Sequence, residues 1–178
     1  MSTRTQEISA AVKAANEGLT EASTSAERSV ESAREKTETA SAHGWGGVAE
    51  NMQQAVDHLE TVVEQVGTAA TAVQSATEAL DAITDKMSTP EVIEQLAAAS
   101  SELESVDGAL DAAVSEVDEA VSACEAAGQT SLPERLQTLR EEIGAVQEKA
   151  GEARGDVQAE SQEADTWTDA SPDDEDDS

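Results

Sequence analysis

The sequence predicts an all-α fold: an antiparallel, up-and-down bundle of four long helices followed by a disordered acidic C-terminal tail. Three observations predict it. The first is a 4-3-4-3 spacing of apolar residues that runs without a miss through Val48–Met87, Val92–Cys124 and Leu132–Val157. In a chain that is 38% apolar, chance gives such a run with a probability of roughly 10⁻¹². A 3.5-residue period is the mark of a helix seam pressed against another helix. The second is that the segments between these runs are short and carry helix stop and start residues. The third is composition: there is no Phe or Tyr, and aromatics make up 1% of the chain. Sandwiches and α/β domains fill their cores with bulky aromatic and β-branched side chains, whereas long helices close on Ala, Leu and Val.

The first helix is placed at about 3–42. Its seam reads Ile8, Val12, Ala15, Leu19, Ala22, Ala26, Ser29, Ala33, with the same spacing but more alanine. Gly44 suits a left-handed cap, and His43 stands near the negative end of the helix dipole. Trp45, Gly46 and Gly47 make the turn. The second helix covers about 48–87, with Met52, Leu59, Val66, Val73, Leu80, Ile83 and Met87 on its seam. The third covers about 90–127 and the fourth about 132–163. Both begin with the same grammar, Ser88-Thr-Pro-Glu91 and Ser131-Leu-Pro-Glu134. Serine can accept from the third helical amide while glutamate reaches back, and proline sits where no donor is required. Gly128 stops the third helix, and loops this short make neighbours antiparallel. Residues 1–163 therefore form one domain. From 164 to 178 the chain turns acidic, with seven acids and no base after Ala164, and disorder is expected.

Flanking apolar positions widen the stripe: Val56, Val63 and Ala70 in the second helix, Ile93, Val114 and Val121 in the third. Three apolar positions per heptad suit a multi-helix core better than a two-stranded zipper. Helices of about 40 residues span roughly 60 Å, and the alanine content of the seams favours interaxial distances near about 8 Å. Gly18, Gly67, Gly108, Gly144, Gly151 and Gly155 interrupt the helices; five of them fall on outward positions, where each weakens its helix by about 1 kcal/mol without opening the core.

The formal net charge is −29 on 18.5 kDa. Such a chain is repelled by nucleic acid and by anionic membranes. The acids can serve solvation alone, as in proteins of salty cytoplasm, or can recruit a basic partner or mimic a polyanion. Their spread along every helix, and the presence of Lys at only four of ten basic positions, fit salt adaptation. There is no hydrophobic leader after Met1 and no apolar run near 18 residues, which argues against a signal peptide and against membrane insertion. A cytoplasmic protein is expected, or one exported by a route that needs no signal peptide. Cys124 cannot form an internal disulfide and lies on a seam, as a small buried hydrophobe.

Chemistry is sparse. Di-iron bundles use Glu-x-x-His pairs, but Ala55 precedes His58 by three and Ala40 precedes His43 by three. One Cys and two His are too few for a zinc site, and no phosphate loop or nucleophile elbow is present. No enzyme activity, cofactor or metal is expected, and His58 reads as a boundary side chain. A strict heptad with few bases also sets the chain apart from exchangeable lipid-surface helices, which drift by 11 residues and carry Lys and Arg at the edge of the apolar face. Three residues remain as candidates for binding a partner. Trp45, with Gly47 two residues on, either caps its own hairpin or offers an apolar knob to another protein. Trp167, in the acidic segment, has nothing local to bury it and could anchor a short linear motif.

Trp45-Gly46-Gly47 between two long helices resembles the bend of the WXG-type small proteins exported by type VII (ESX-like) secretion systems, over residues 3–87. That family forms helical hairpins that pair into four-helix bundles, and only Trp45 and Gly47 carry over. Its Tyr-based export signal has no counterpart, because the chain has no Tyr. Over about 30–165, the run Ala42-His-Gly-Trp-Gly-Gly-Val-Ala-Glu-Asn-Met52, the Pro90-Glu-Val-Ile93 start and the heptads from Leu110 to Ala126 are similar to an Ala-rich helical family of actinomycetes. That family has no assigned activity, and related helical segments precede toxin-like domains in some actinomycete proteins. The resemblance implies an actinobacterial, salt-adapted source and a scaffold or accessory role. The expected function is a non-enzymatic interaction protein, an accessory of type VII-like export; the alternative is a cytoplasmic acidic scaffold that masks a basic protein. The Ala-rich first helix could also exchange its internal contacts for those of a second copy, leaving a homodimer open.

Overall fold

The computed structural model describes residues 3–169. Four helices follow one another along the chain: α1 (Thr3–Ala42), α2 (Gly46–Asp81), α3 (Thr89–Ala126) and α4 (Ser131–Asp169), with no strand among the described residues. Each packs on its sequence neighbours, and α4 closes the ring on α1; among the described residues the diagonal pairs make no close backbone approach. Contact is most extensive between α2 and α3 and least between α1 and α4. Arg4 at the start of α1 meets Asp156 and Glu160 near the end of α4, so these two helices are antiparallel like the rest.

The seams form the core. Every seam residue is buried except Val48, Met87 and Val92, which are half-buried at the two ends of the rod. Leu59, Leu80, Leu96, Leu103, Leu110, Leu136 and Ile143 are sealed from water. Each such side chain contributes about 1.5–3 kcal/mol through the apolar surface it removes from solvent. Cys124 is buried among them.

Two helices end as the glycines require. Gly44 (φ 74°) and Gly128 (φ 76°) adopt left-handed conformations that strain any residue with a Cβ. At the first, the amide of Gly44 donates to Ser41 and that of Trp45 to Ala40; at the second, Gly128 donates to Glu125 and Gln129 to Cys124. Both are Schellman motifs, which satisfy the last carbonyls of a helix.

The second loop differs from the expected boundary. α2 stops at Asp81 rather than near Met87. The amide of Ile83 turns back to Leu80, and that of Met87 to Thr84, because the chain must reverse before Ser88 opens α3. Ile83 still tucks under the bundle, buried, so the apolar spacing outlives the helix that produced it. At α3 the capping box forms as expected: Glu91 accepts from the amide and the hydroxyl of Ser88, at 2.7 and 2.8 Å. The matching Ser131 is instead the first residue of α4, one step inside the helix.

The fourth helix also outruns its expected end at residue 163 and the disorder expected from 164: residues 164–169 are helical. Within 164–169 only Asp165 and Asp169 are acidic, and no Gly or Pro intervenes before Pro172, so nothing there breaks a helix already propagating. The remainder of the expected tail, 170–178, lies outside the described residues.

Candidate functional site

Trp45 is held by backbone rather than by packing. It follows the left-handed Gly44, serves as N-cap of α2, and its carbonyl accepts from the amide of Ala49 at 2.9 Å. Its indole does not seal the bundle end. It stacks on the His43 ring, centroids 4.5 Å apart and 16° from parallel, and remains 55% exposed. Gly46 and Gly47 form the first turn of α2 beside it, and a Cβ at either would meet no atom within 4 Å. Nothing in the packing of this chain demands glycine there. The result is an exposed aromatic platform next to a strip of uncovered backbone.

Trp167 lies at the other end of the rod, on the last turns of α4, and is 73% exposed. It borders a shallow groove of about 260 Å³ with Met87, Thr89, Val92, Glu160, Glu163 and Ala164. The structure therefore separates the candidates: Trp45 and Gly47 share one end, and Trp167 stands alone at the opposite one. The two tryptophans are the only large apolar side chains exposed among the described residues.

A third feature had no signal in the periodicity. Between α1 and α4 an open groove of about 400 Å³ is lined by Ser25, Arg28, Ser29, Arg135, Thr138 and Glu142, with Leu139 at its floor. Oε2 of Glu142 is buried there without a hydrogen-bond partner. The Ser29 hydroxyl donates back to the Ser25 carbonyl at 2.8 Å. An Arg on each wall in so acidic a chain was legible only once the helices were paired.

Polar pairs lace the helix boundaries. Nδ1 of His58 donates to Oε2 of Glu116 across α2 and α3 at 2.6 Å, both side chains about one-third exposed; this partner, 58 residues away, was invisible to local reading. Arg140 donates to Asp118 at 2.9 Å, and Gln147 donates to Asp107 and Asp111. The Ser9 hydroxyl donates to Asp81 at 2.6 Å and Lys13 approaches the other carboxylate oxygen at 3.1 Å. The Ser9 bond foremost, helped by Lys13, holds the Asp81 carboxyl below its ordinary range. The Ser88 amide and hydroxyl do the same for Glu91. Burial pushes the Cys124 thiol up to about 11, which keeps it in the protonated, unreactive form.

Among the described residues, no group of three or more His, Cys, Asp or Glu is placed to hold a metal. No helix among them is long and apolar enough to cross a membrane. The exposed features among the described residues are two tryptophans and open grooves between helices. Comparison with protein families, with curated proteins and with solved structures found no match to this chain.

Proposed function

We propose that the chain is a non-enzymatic interaction protein that presents Trp45, at the α1–α2 bend, to a protein partner. The observation that carries this reading is the indole itself, over half exposed on a backbone-fixed turn where an interior position would have removed more apolar surface from water. Open space at Gly46 and Gly47 supports it, since a partner backbone can approach there closely. The resemblance of this bend to WXG-type proteins gives the reading its specific form, an accessory or carrier of type VII-like export.

The test is secretion from the cell that encodes the chain. Wild-type protein is expected in the culture medium without release of a lysis marker, and Trp45→Ala is expected to stay inside. Because the indole is over half exposed and lies outside the core, helicity and melting of that variant should stay close to wild type. Retention of the wild type counts against export, and secretion indifferent to Trp45→Ala removes the role of the indole.

A second reading is favoured by the net charge of −29: an acidic scaffold that covers a basic protein surface. Partners recovered by crosslinking discriminate. An export ATPase or toxin-like protein supports the first reading, and DNA-binding basic proteins support the second.

A further inference from the structure

Six arginines face 39 acids in this chain, and four of the six hold a carboxylate. Arg4 pairs with Asp156 and Glu160, Arg34 with Glu60, Arg140 with Asp118 and Arg154 with Glu104. Arg28 and Arg135 pair with no acid among the described residues, and both stand on the α1–α4 groove. Glu142 shares that groove and pairs with neither. Its Oε2 is sealed from water and accepts no hydrogen bond from the described residues. Composition does not explain why the two arginines that hold no carboxylate share a groove with a carboxylate that lacks a donor.

Helix register fixes the order of these groups along the groove. α1 and α4 are antiparallel and Gly18 lies against Val146, so Arg28 is level with residue 136 and faces Arg135. Ser25 is level with Leu139, the apolar floor, which is 1% exposed. Glu142 comes one turn later, roughly 10 Å along α4 from Arg135. Two cations, an apolar middle and an anion therefore follow one another. The short side chains of Ser25 and Ser29 keep the furrow open above Leu139.

Residues 1–2 and 170–178 cannot cover it. From Asp169 back to Glu142, α4 runs about 27 residues, roughly 40 Å. Nine extended residues span at most about 32 Å. Along α1, Thr3 stands roughly 33 Å from Ser25, against about 7 Å for two residues.

Guanidinium forks bind carboxylates and other oxyanions bidentately. An anion alone is badly served, since Glu142 offers it a bare carboxylate oxygen and the chain carries −29. A cation alone leaves both arginines unused. A zwitterion answers both ends and brings no net charge into the field. We propose that the groove binds a small amino acid whose ammonium stands several bonds from its carboxylate. The carboxylate meets Arg28 and Arg135, the ammonium meets Oε2 of Glu142, and the methylene stem lies over Leu139. A groove of about 400 Å³ is within the range of small-molecule sites. It lies in the body of the rod and involves neither Trp45 nor the reading that rests on it.

The probe is γ-aminobutyrate, titrated into the isotope-labelled full chain at fixed ionic strength, with backbone amide shifts followed by NMR. Butyrate and butylammonium keep the stem and drop one charge each. Saturable shifts are expected at residues 25–29 and 135–142, with both single-ended probes binding about tenfold more weakly. Arg135→Gln should lower the affinity for γ-aminobutyrate about tenfold. Glu142→Gln should lower it too but raise the affinity for butyrate, a reversal that a merely structural role does not give. Arg140→Gln makes the same charge change at an arginine paired with Asp118, and should leave binding unaltered. Arg135 holds no acid in the fold, so its replacement breaks no ion pair, and thermal melting checks that the bundle is intact. Absence of saturable shifts, or shifts confined to other residues, overturns the site. So does equal binding of butyrate or butylammonium. An Arg140→Gln protein as weakened as Arg135→Gln reduces the interaction to bulk charge and overturns it as well.

Discussion

The α2–α3 side of the bundle and the α1–α4 side obey one spacing rule but are built from different side chains. Met52, Leu59, Leu80, Leu96, Leu103 and Leu110 fill the first, and its two helices share the most extensive contact in the molecule. Ala15, Ala22, Ala26, Ala33 and Ser29 make up most of the α1 seam, and its contact with α4 is the least extensive. A 3.5-residue period decides where a helix turns its apolar flank, whereas side-chain volume decides how much burial that flank supplies. The apolar stabilisation is therefore concentrated in α2, α3 and the Leu-rich first half of α4. α1 gains its place by close approach, with Gly18 lying directly against Val146.

The largest effect should come from the Leu-rich side. Leu103→Ala, at a position 1% exposed, is expected to cost about 2–5 kcal/mol through lost burial and the cavity left behind. On the other side the informative change is enlargement. Ala22→Leu, at a position fully sealed from water, is expected to cost about 1–3 kcal/mol by overpacking, and less if α1 can move outward. Urea unfolding of both variants, at matched slope, checks the order. Should Ala22→Leu prove the more costly, α1 is as firmly seated as α3, and the contrast between the two sides fails.

The same contrast explains what was legible from sequence. Helix number, order and core were readable because nearly every position of the 4-3 spacing is buried, and the two left-handed glycines mark two of the three turns. The end of α2 was not, because Ile83 keeps the spacing and remains buried after the helix has stopped. The end of α4 was missed for the opposite reason. Acidic composition drew the boundary at 164, although Ala164 and Trp167 stay on the seam. Trp45 could be singled out, but its stacking on His43 and its exposure belong to the geometry of the turn, which no spacing rule gives. The Arg28, Arg135 and Glu142 groove, and the His58–Glu116 pair, join residues far apart in the chain, and no heptad count pairs them.

A smaller effect separates two glycines that look alike in sequence. Gly67 lies on the exposed face of α2 with nothing near its would-be Cβ. Gly67→Ala is expected to stabilise by about 0.5–1 kcal/mol, the ordinary helix preference for Ala over Gly. At Gly18 a Cβ would stand 2.6 Å from a Val146 methyl, so either the valine turns or α1 lifts off α4. Gly18→Ala should therefore yield none of that gain, and adding Val146→Ala should restore it relative to Val146→Ala alone. A Gly18→Ala protein as stabilised as Gly67→Ala would mean that the two helices are not in contact there.

The smallest effect tests the ionic tie between α1 and the end of α2. The Ser9 hydroxyl and the Lys13 ammonium both favour the charged form of Asp81, so its folded pKa lies below the unfolded value of about 3.9. A depressed carboxyl contributes stability above the unfolded pKa and loses it as pH falls through the folded one. Asp81→Asn keeps an acceptor for Ser9 but removes the charge. The gap between wild type and Asp81→Asn should be present at pH 7, shrink as pH drops below about 3.9, and vanish once Asp81 is protonated in both states. With the side chain 45% exposed, solvent screening keeps that gap under about 1 kcal/mol. A gap that stays constant from pH 7 to pH 2 would show that the Asp81 charge does not help to hold α1 in place, leaving that to the apolar seam and to the other ion pairs of α1, such as Arg4 with Asp156 and Glu160.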